Sequence, residues 1–293
     1  MEQVLREMEN FVEQKLGAGY TVTRKVQTKN NGVVLQGFMI TKADAPTISP
    51  VLYVNEYATA VHAGRMTAKE AANAVVETYR KTDADPVSAA GVGFLKDKQS
   101  VLDRTVYHVV NAEMNSGMLS TVPHKNFLDL AAVYRIAVSV PHVGYASVGV
   151  DSAICETLGI TEKELDEAAR HNTAANGFIQ KPMEEILEEI TGIPMPSFPG
   201  PRLQVFTSRN HMYGATALLY PDIFKGFADG VCDDLFILPS SIHELITVPA
   251  AEMSPEELRH MVGEVNAAEV AADEILSASV YRYDKITREI RIA

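Results

Sequence analysis

The amino-acid sequence predicts a mixed α+β fold, with largely antiparallel sheets, flanking helices and two sheet-bearing subdomains. Three observations carry this reading. Short β-rich runs gather toward both ends of the chain; hairpin-type turns separate them; and strands and helices do not alternate regularly, which disfavours a doubly wound parallel sheet. The chain has 293 residues, of which 46% are hydrophobic and 22% charged. That is long enough to bury a full core and ordinary in composition for a soluble globular protein.

Val4, Leu5, Met8, Phe11, Val12 and Leu16 recur at helical spacing before Gly17 and Gly19, so an amphipathic helix opens the chain. Residues 20–27 and 33–40 read as strands joined at Lys29-Asn-Asn-Gly32, because Asn and Gly tolerate the positive φ of a hairpin turn. A third strand follows over 50–55. Helix begins near Glu56, pauses at Gly64 and restarts at the capping box Thr67-Ala-Lys-Glu70. After a loop at 83–86, residues 105–111 and 127–138 read as strands, with a turn at 113–117.

Residues 151–192 are more helical. Thr161-Glu-Lys-Glu164 caps one helix, and Met183, Ile186, Leu187 and Ile190 line another whose Glu184, Glu185, Glu188 and Glu189 read as a solvated face. Four prolines within 193–201 forbid both helix and central strand and mark a linker. Beyond it the pattern predicts strands over 203–207 and 214–219, a short helix over 221–228 and a strand pair over 235–248. Ser254-Pro-Glu-Glu257 then starts a long helix with the stripe Leu258, Met261, Val262, Val265, Ala272 and Ile275 or Leu276. A closing hairpin pairs 280–283 with 288–292. The implied division is an N-terminal α+β subdomain over 1–140, a helical middle with the linker over 141–198, and a C-terminal α+β subdomain over 199–293.

Several function classes are disfavoured. A formal net charge of −12 argues against general nucleic-acid or anionic-membrane binding, both of which draw on basic surface. Arg282, Lys285, Arg288 and Arg291 form a local basic excess that a solvated hairpin face explains. Cys155 and Cys232 lie outside metal or redox spacing and read as reduced, mostly buried thiols. The N-terminus lacks a signal-peptide pattern, and no apolar run approaches the ~20 residues that span a bilayer, so the expected location is the cytoplasm. No phosphate loop, HExxH pair or Gly-x-Ser-x-Gly elbow is present, so neither a cofactor nor a metal is expected.

The candidate site lies where a Ser-Ser and a His-Glu pair interrupt the apolar run 234–249. Ser240 and Ser241 follow Pro239 at a turn and could cap free backbone groups. Strand alternation sends Ile242, Glu244, Ile246 and Val248 to one face and His243, Leu245 and Thr247 to the other, which weakens a joint role for His243 and Glu244. A half-buried Glu244 needs a donor or a raised pKa. If it satisfies buried donors, Glu244→Ala lowers stability by about 1–3 kcal/mol. Asn266 neighbours the helix stripe, where an Asn often ties helix to strand. His260 and Glu264 read as a surface pair.

Tyr213-Gly-Ala215, Leu238-Pro-Ser-Ser241 with His243-Glu244, Met261-Val262, Asn266, Leu276-Ser277 and Val280-Tyr281-x-Tyr283, in that order, resemble the pattern of an uncharacterised bacterial domain-of-unknown-function family. Ile48-Ser-Pro50, Tyr53 and Gly64 extend the resemblance more loosely into the N-terminal half, and Thr207-Ser208 departs from the Thr-Asn of the pattern. The resemblance implies no activity, cofactor or catalytic residue. It implies relatives in phage-like or conjugative-element surroundings, and so an accessory or regulatory part.

Two functional expectations follow. One is an interaction module that binds another protein through the 240–244 turn and a sheet edge. The other is an enzyme in which His243 or Glu244 moves a proton beside Ser240, Ser241 and Asn266. Convergence of these side chains in one cleft would favour the enzyme; dispersal with apolar surface elsewhere would favour the module.

Overall fold

The computed structural model describes residues 1–42, 51–83, 95–140, 144–195, 202–239 and 241–293. Ile48, Ser49, Pro50, His142 and Ser240 lie outside them. The chain forms two compact units, Met1–Asp97 with Ser139–Gly144 and Lys98–Val138 with Tyr145–Ala293. The second unit therefore unites most of the middle segment with the C-terminal region, and also takes in residues 98–138. The fold is α+β, with sheets that are largely antiparallel.

In the first unit, α1 (Glu2–Leu16) is followed by β1 (Tyr20–Thr28), β2 (Val34–Lys42), β3 (Val51–Tyr53), α2 (Asn55–His62) and α3 (Ala68–Asp83). The strands make one antiparallel sheet in the order β1-β2-β3. The helical spacing of α1 delivers Leu5, Met8 and Val12 to a shared core with Phe38 and Ile40 from β2 and Val75 and Val76 from α3. Burying each such side chain contributes roughly 1.5–3 kcal/mol. The expected turn is a short 3-10 segment in which Asn31 (φ 58°) and Gly32 (φ 70°) take left-handed conformations. Gly37 lets β3 approach β2 closely, since a Cβ there would strike Val51 and sit 2.7 Å from the Leu52 carbonyl oxygen. The Thr67 box forms as the spacing demands: Glu70 N–H donates to Thr67 Oγ1 at 3.2 Å, and Thr67 N–H to the Glu70 carboxylate at 2.8 Å.

The second unit contains α4 (Lys98–Leu102), β4 (Thr105–Asn111), α5 (Ser116–Leu119), β5 (His124–Phe127), most of β6 (Leu130–Val140) and of β7 (Gly144–Gly149), α6 (Ser152–Leu158), α7 (Glu162–Asn176), β8 (Phe178–Pro182) and α8 (Met183–Thr191). It continues with β9 (Gln204–Ser208), α9 (Lys225–Val231), β10 (Leu235–Leu238), β11 (Glu244–Pro249), α10 (Pro255–Ala268), β12 (Tyr281–Tyr283) and β13 (Ile290–Ile292). One sheet is ordered β4-β6-β5, with β7 also on β6; the other runs β13-β12-β10-β11-β9-β8. Every residue of β10 is buried, as its central place and unbroken Leu-Phe-Ile-Leu run require.

Four sequence expectations change. Residues 127–138 are not one strand: the run breaks at Leu128-Asp129, where Leu128 adopts φ 56° without the Asn or Gly that advertises such a turn. Residues 113–117 are not simply a turn, because Ser116 begins α5. Gly214–Leu219 is a buried 3-10 segment instead of a strand. The amides of Gly214 and Ala215 do donate to the carbonyls of His243 (2.9 Å) and Ile242 (3.3 Å), but Thr216 then bonds back to Tyr213 and the chain tightens away. Finally, α10 stops at Ala268, so Ala272 and Ile275 are not on its stripe; Leu258 and Val262 are buried, while Met261 is 40% exposed. The chain doubles back there to bury Leu276 and Ser277.

The cysteines also differ from expectation. Cys232 is exposed at a positive φ closing α9, and Cys155 is half-buried, where burial and nearby acidic groups push its thiol pKa up. No helix among the described residues is long and apolar enough to cross a membrane.

Candidate functional site

The turn before β11 directs Ser241 inward. Ser241 is buried, and its Oγ accepts the His243 backbone N–H at 3.0 Å. Ile242 N–H donates to the Glu274 carbonyl at 2.9 Å, which ties the turn to the segment after α10. This corrects the alternation expected of Ile242: it precedes the regular strand and packs with Leu245 in the main core, whereas Ile246 and Val248 face α10.

His243 is the best-connected member of the turn. Its Nδ1 accepts the backbone N–H of Tyr213 at 3.1 Å, which requires a lone pair on that nitrogen and leaves the ring hydrogen on Nε2. Nε2 lies 3.5 Å from a Glu274 carboxylate oxygen. The His243 carbonyl accepts from Gly214 N–H (2.9 Å) and Thr207 Oγ1 (2.7 Å). Gly214 is required by this crowding, since a Cβ would meet Thr207 Oγ1 and sit 2.5 Å from both the His243 oxygen and the Ser208 nitrogen.

Tyr213 lies between two imidazoles. It stacks on His108 of β4 at 3.5 Å with planes 18° apart, and its ring centre is 5.2 Å from that of His243. His108 is buried, and burial, with Arg135 and His243 adding to it, holds its pKa well below the ordinary range, so it is neutral. The crevice beside this stack has a volume of about 30 Å³, room for about one water.

Glu244 sits apart from this cluster. It begins β11 opposite Thr207 and shares the parity of Ile246 and Val248. Burial raises its pKa, opposed only partly by His243 and His211, and its carboxyl has no hydrogen-bond partner among the described residues. Asn266 does what its position suggested: Nδ2 donates to the Ser277 carbonyl at 3.0 Å and ties α10 to the returning chain, while Oδ1 is buried without a partner among the described residues. Of the candidates, the structure brings Ser241 and His243 together and leaves Glu244 and Asn266 separate. His260 and Glu264 form the expected exposed pair at 3.3 Å.

Sequence reading missed Asp129. One of its carboxylate oxygens accepts from Ser277 Oγ (2.5 Å) and Ser279 Oγ (2.9 Å), and the other from Tyr281 OH (2.6 Å). Asn111 Nδ2 adds a bond to the Leu276 carbonyl at 3.0 Å. Ser277 and Tyr281 of the ordered pattern thus lock the β5–β6 turn to the C-terminal region, and Leu276 ties that region to β4. The signal was present: a lone carboxylate inside an apolar run needs donors.

A second overlooked group surrounds Asp166 of α7. Tyr107 OH donates to it at 2.5 Å, Tyr134 OH at 3.2 Å, and Lys125 approaches at 2.9 Å. Burial opposes ionisation of this carboxyl, yet these donors outweigh burial and hold its pKa below the usual range. The two phenols are driven up, by burial first and then by Asp166. These residues come from four separate elements, so no local spacing announces them.

Among the described residues no group of three or more His, Cys, Asp or Glu side chains gathers to hold a metal ion. No curated protein and no solved structure matches the chain. A family model does match, over residues 1–285, a span that takes in Tyr213, His243, Asn266, Ser277 and Tyr281 of the ordered pattern; the chain belongs to that family, a family of unknown function (DUF5688).

Proposed function

We propose that this chain is a protein-interaction module acting in the bacterial cytoplasm, in an accessory or regulatory role of the kind its family resemblance suggests. The observation that carries the reading is α8. Met183, Ile186, Leu187 and Ile190 make an apolar stripe, yet no residue of the helix is buried; Ile190 is 76% exposed and Ile193, just beyond, 62%. The helix follows β8, the last strand of its sheet among the described residues. A strand edge with no partner among the described residues, beside an apolar stripe that is half-buried at Met183, Ile186 and Leu187 and exposed at Ile190, is a docking geometry for a peptide segment.

Charge selects the partner. Glu184, Glu185, Glu188 and Glu189 rim the stripe, and Lys181 answers only Glu185 (3.2 Å) and Glu189. A second copy would set one such rim against another, at an electrostatic cost. The occupant is therefore a protein segment with an apolar face flanked by lysine or arginine. The 240–244 turn, offered by the sequence as a contact, is a poor one because Ser241 and the His243 backbone are engaged inward. The dispersal of His243, Glu244 and Asn266 supports the module over the enzyme.

The chain contains no tryptophan, so a peptide with one tryptophan reports binding without background. A leucine-lysine amphipathic peptide should bind, weaken as salt rises, and lose affinity on Ile190→Asp, which alters an exposed site and leaves folding intact. A leucine-glutamate counterpart should not bind. Equal binding of both peptides, or an unaffected Ile190→Asp variant, overturns the reading, and a concentration-dependent dimer in sedimentation would assign the face to a second copy.

A further inference from the structure

A cleft of about 190 Å³ opens between β5, β6, α7 and the 3-10 segments around Tyr220. Its walls are apolar, from Phe127, Ala132, Leu219 and the Tyr220 ring. Tyr220 is held as a wall because its hydroxyl donates to the Arg170 carbonyl at 2.8 Å. Lys125, Asn126 and Arg170 also line the cleft.

Of the two cations, Lys125 is paired with Asp166 at 2.9 Å, whereas Arg170 keeps its donors. Asp166 receives the Tyr107 and Tyr134 hydroxyls as well as Lys125, so part of its hydrogen-bonding capacity is met by neutral donors. Arg170 reaches Asp166 only at 3.9 Å, beyond hydrogen-bond range. None of its guanidinium N–H groups is hydrogen-bonded among the described residues, and its side chain is 66% exposed. Arg170 is thus the cation with donors to spare at this cleft, in a chain of net charge −12. A guanidinium presents paired donors that match a carboxylate, and an apolar slot with a few convergent polar groups is the usual form of a small-ligand site.

We propose that this cleft binds a small carboxylate with a flat apolar body, its anionic end at Arg170 and Lys125 and its body against Tyr220 and Phe127. The site is separate from the α8 face, and its test is independent of any protein partner.

Benzoate is the probe, with benzamide and inorganic phosphate as its matches, titrated by calorimetry on the whole chain and followed by ring-proton shifts of Tyr220. Benzoate should bind with a Kd of about 1 mM, in keeping with a fragment of its size, and shift Tyr220. Benzamide should bind at least ~10-fold more weakly, and Arg170→Gln should weaken benzoate by ~10-fold, the scale of one lost charged hydrogen bond. Arg170→Gln should leave the melting temperature unchanged, since the residue is exposed. Absence of benzoate binding, equal affinity for benzamide, or full affinity in Arg170→Gln overturns the proposal. Phosphate binding as tightly as benzoate would show a bare anion site and overturn the assignment of the apolar walls.

Discussion

The imidazole of His243 holds Tyr213 in a left-handed backbone conformation: Tyr213 has φ 56°, and its N–H donates to His243 Nδ1 at 3.1 Å. A bulky residue seldom adopts that region unless its surroundings compel it. Here the compulsion comes from both sides, through the His243 bond and the stack on His108.

Replacing His243 with Ala should therefore cost about 1–2 kcal/mol, the lower part of the range for an unmet donor, since the Tyr213 amide is half-buried. Asn, whose side-chain oxygen can accept in place of Nδ1, should recover part of the loss. Denaturant unfolding of the two variants checks this. Nitrogen shifts of His243 in the parent should report hydrogen on Nε2; hydrogen on Nδ1 would contradict the geometry.

Asp129 supports a larger joint, because three hydroxyl donors from the C-terminal region converge on it. Asp129→Ala should lose about 2–3 kcal/mol, while Tyr281→Phe, which removes a single donor, should lose about 1 kcal/mol. A double-mutant cycle should show coupling between the two sites. Strictly additive losses would mean that the bonds do not act together.

Glu244 does not serve as the acceptor for buried donors that its place in the strand suggests, since its carboxyl has no hydrogen-bond partner among the described residues and its pKa is raised by burial. A carboxyl with a folded pKa above its unfolded one binds more protons when folded across the interval between them. Its contribution to stability therefore falls as pH rises from the unfolded value, about 4.3, through the folded one, and the cost remains at neutral pH. Glu244→Gln should raise the melting temperature at pH 7, and the gain should vanish in acid, where the parent is protonated. A lower melting temperature at pH 7 would show that the charge has a stabilising partner.

Much of the secondary structure was legible in the sequence because it is locally determined. The Ser254 cap forms its two reciprocal bonds with Glu257, and the opening helix buries Leu5, Met8 and Val12 and half-buries Val4, Phe11 and Leu16 of the stripe its spacing marked. The break at Leu128-Asp129 was hidden, since a leucine in a left-handed turn carries no local signature. Gly214–Leu219 was misread because its composition suits a strand, whereas its conformation is set by the crowding of Gly214 against Thr207 and His243.

The sequence by itself determined the α+β class, the cap-defined helices and the hairpins, because propensity, periodicity and capping act over a few neighbouring positions. Only the tertiary structure decided what those residues do. It brought the Tyr213 amide to His243, gave Ser277 and Tyr281 a common acceptor in Asp129, and placed Arg170 and Lys125 at an apolar cleft. These pairings join positions from 30 to 152 residues apart, and at such separations spatial proximity follows from how the sheets and helices pack, which no local stretch of sequence records.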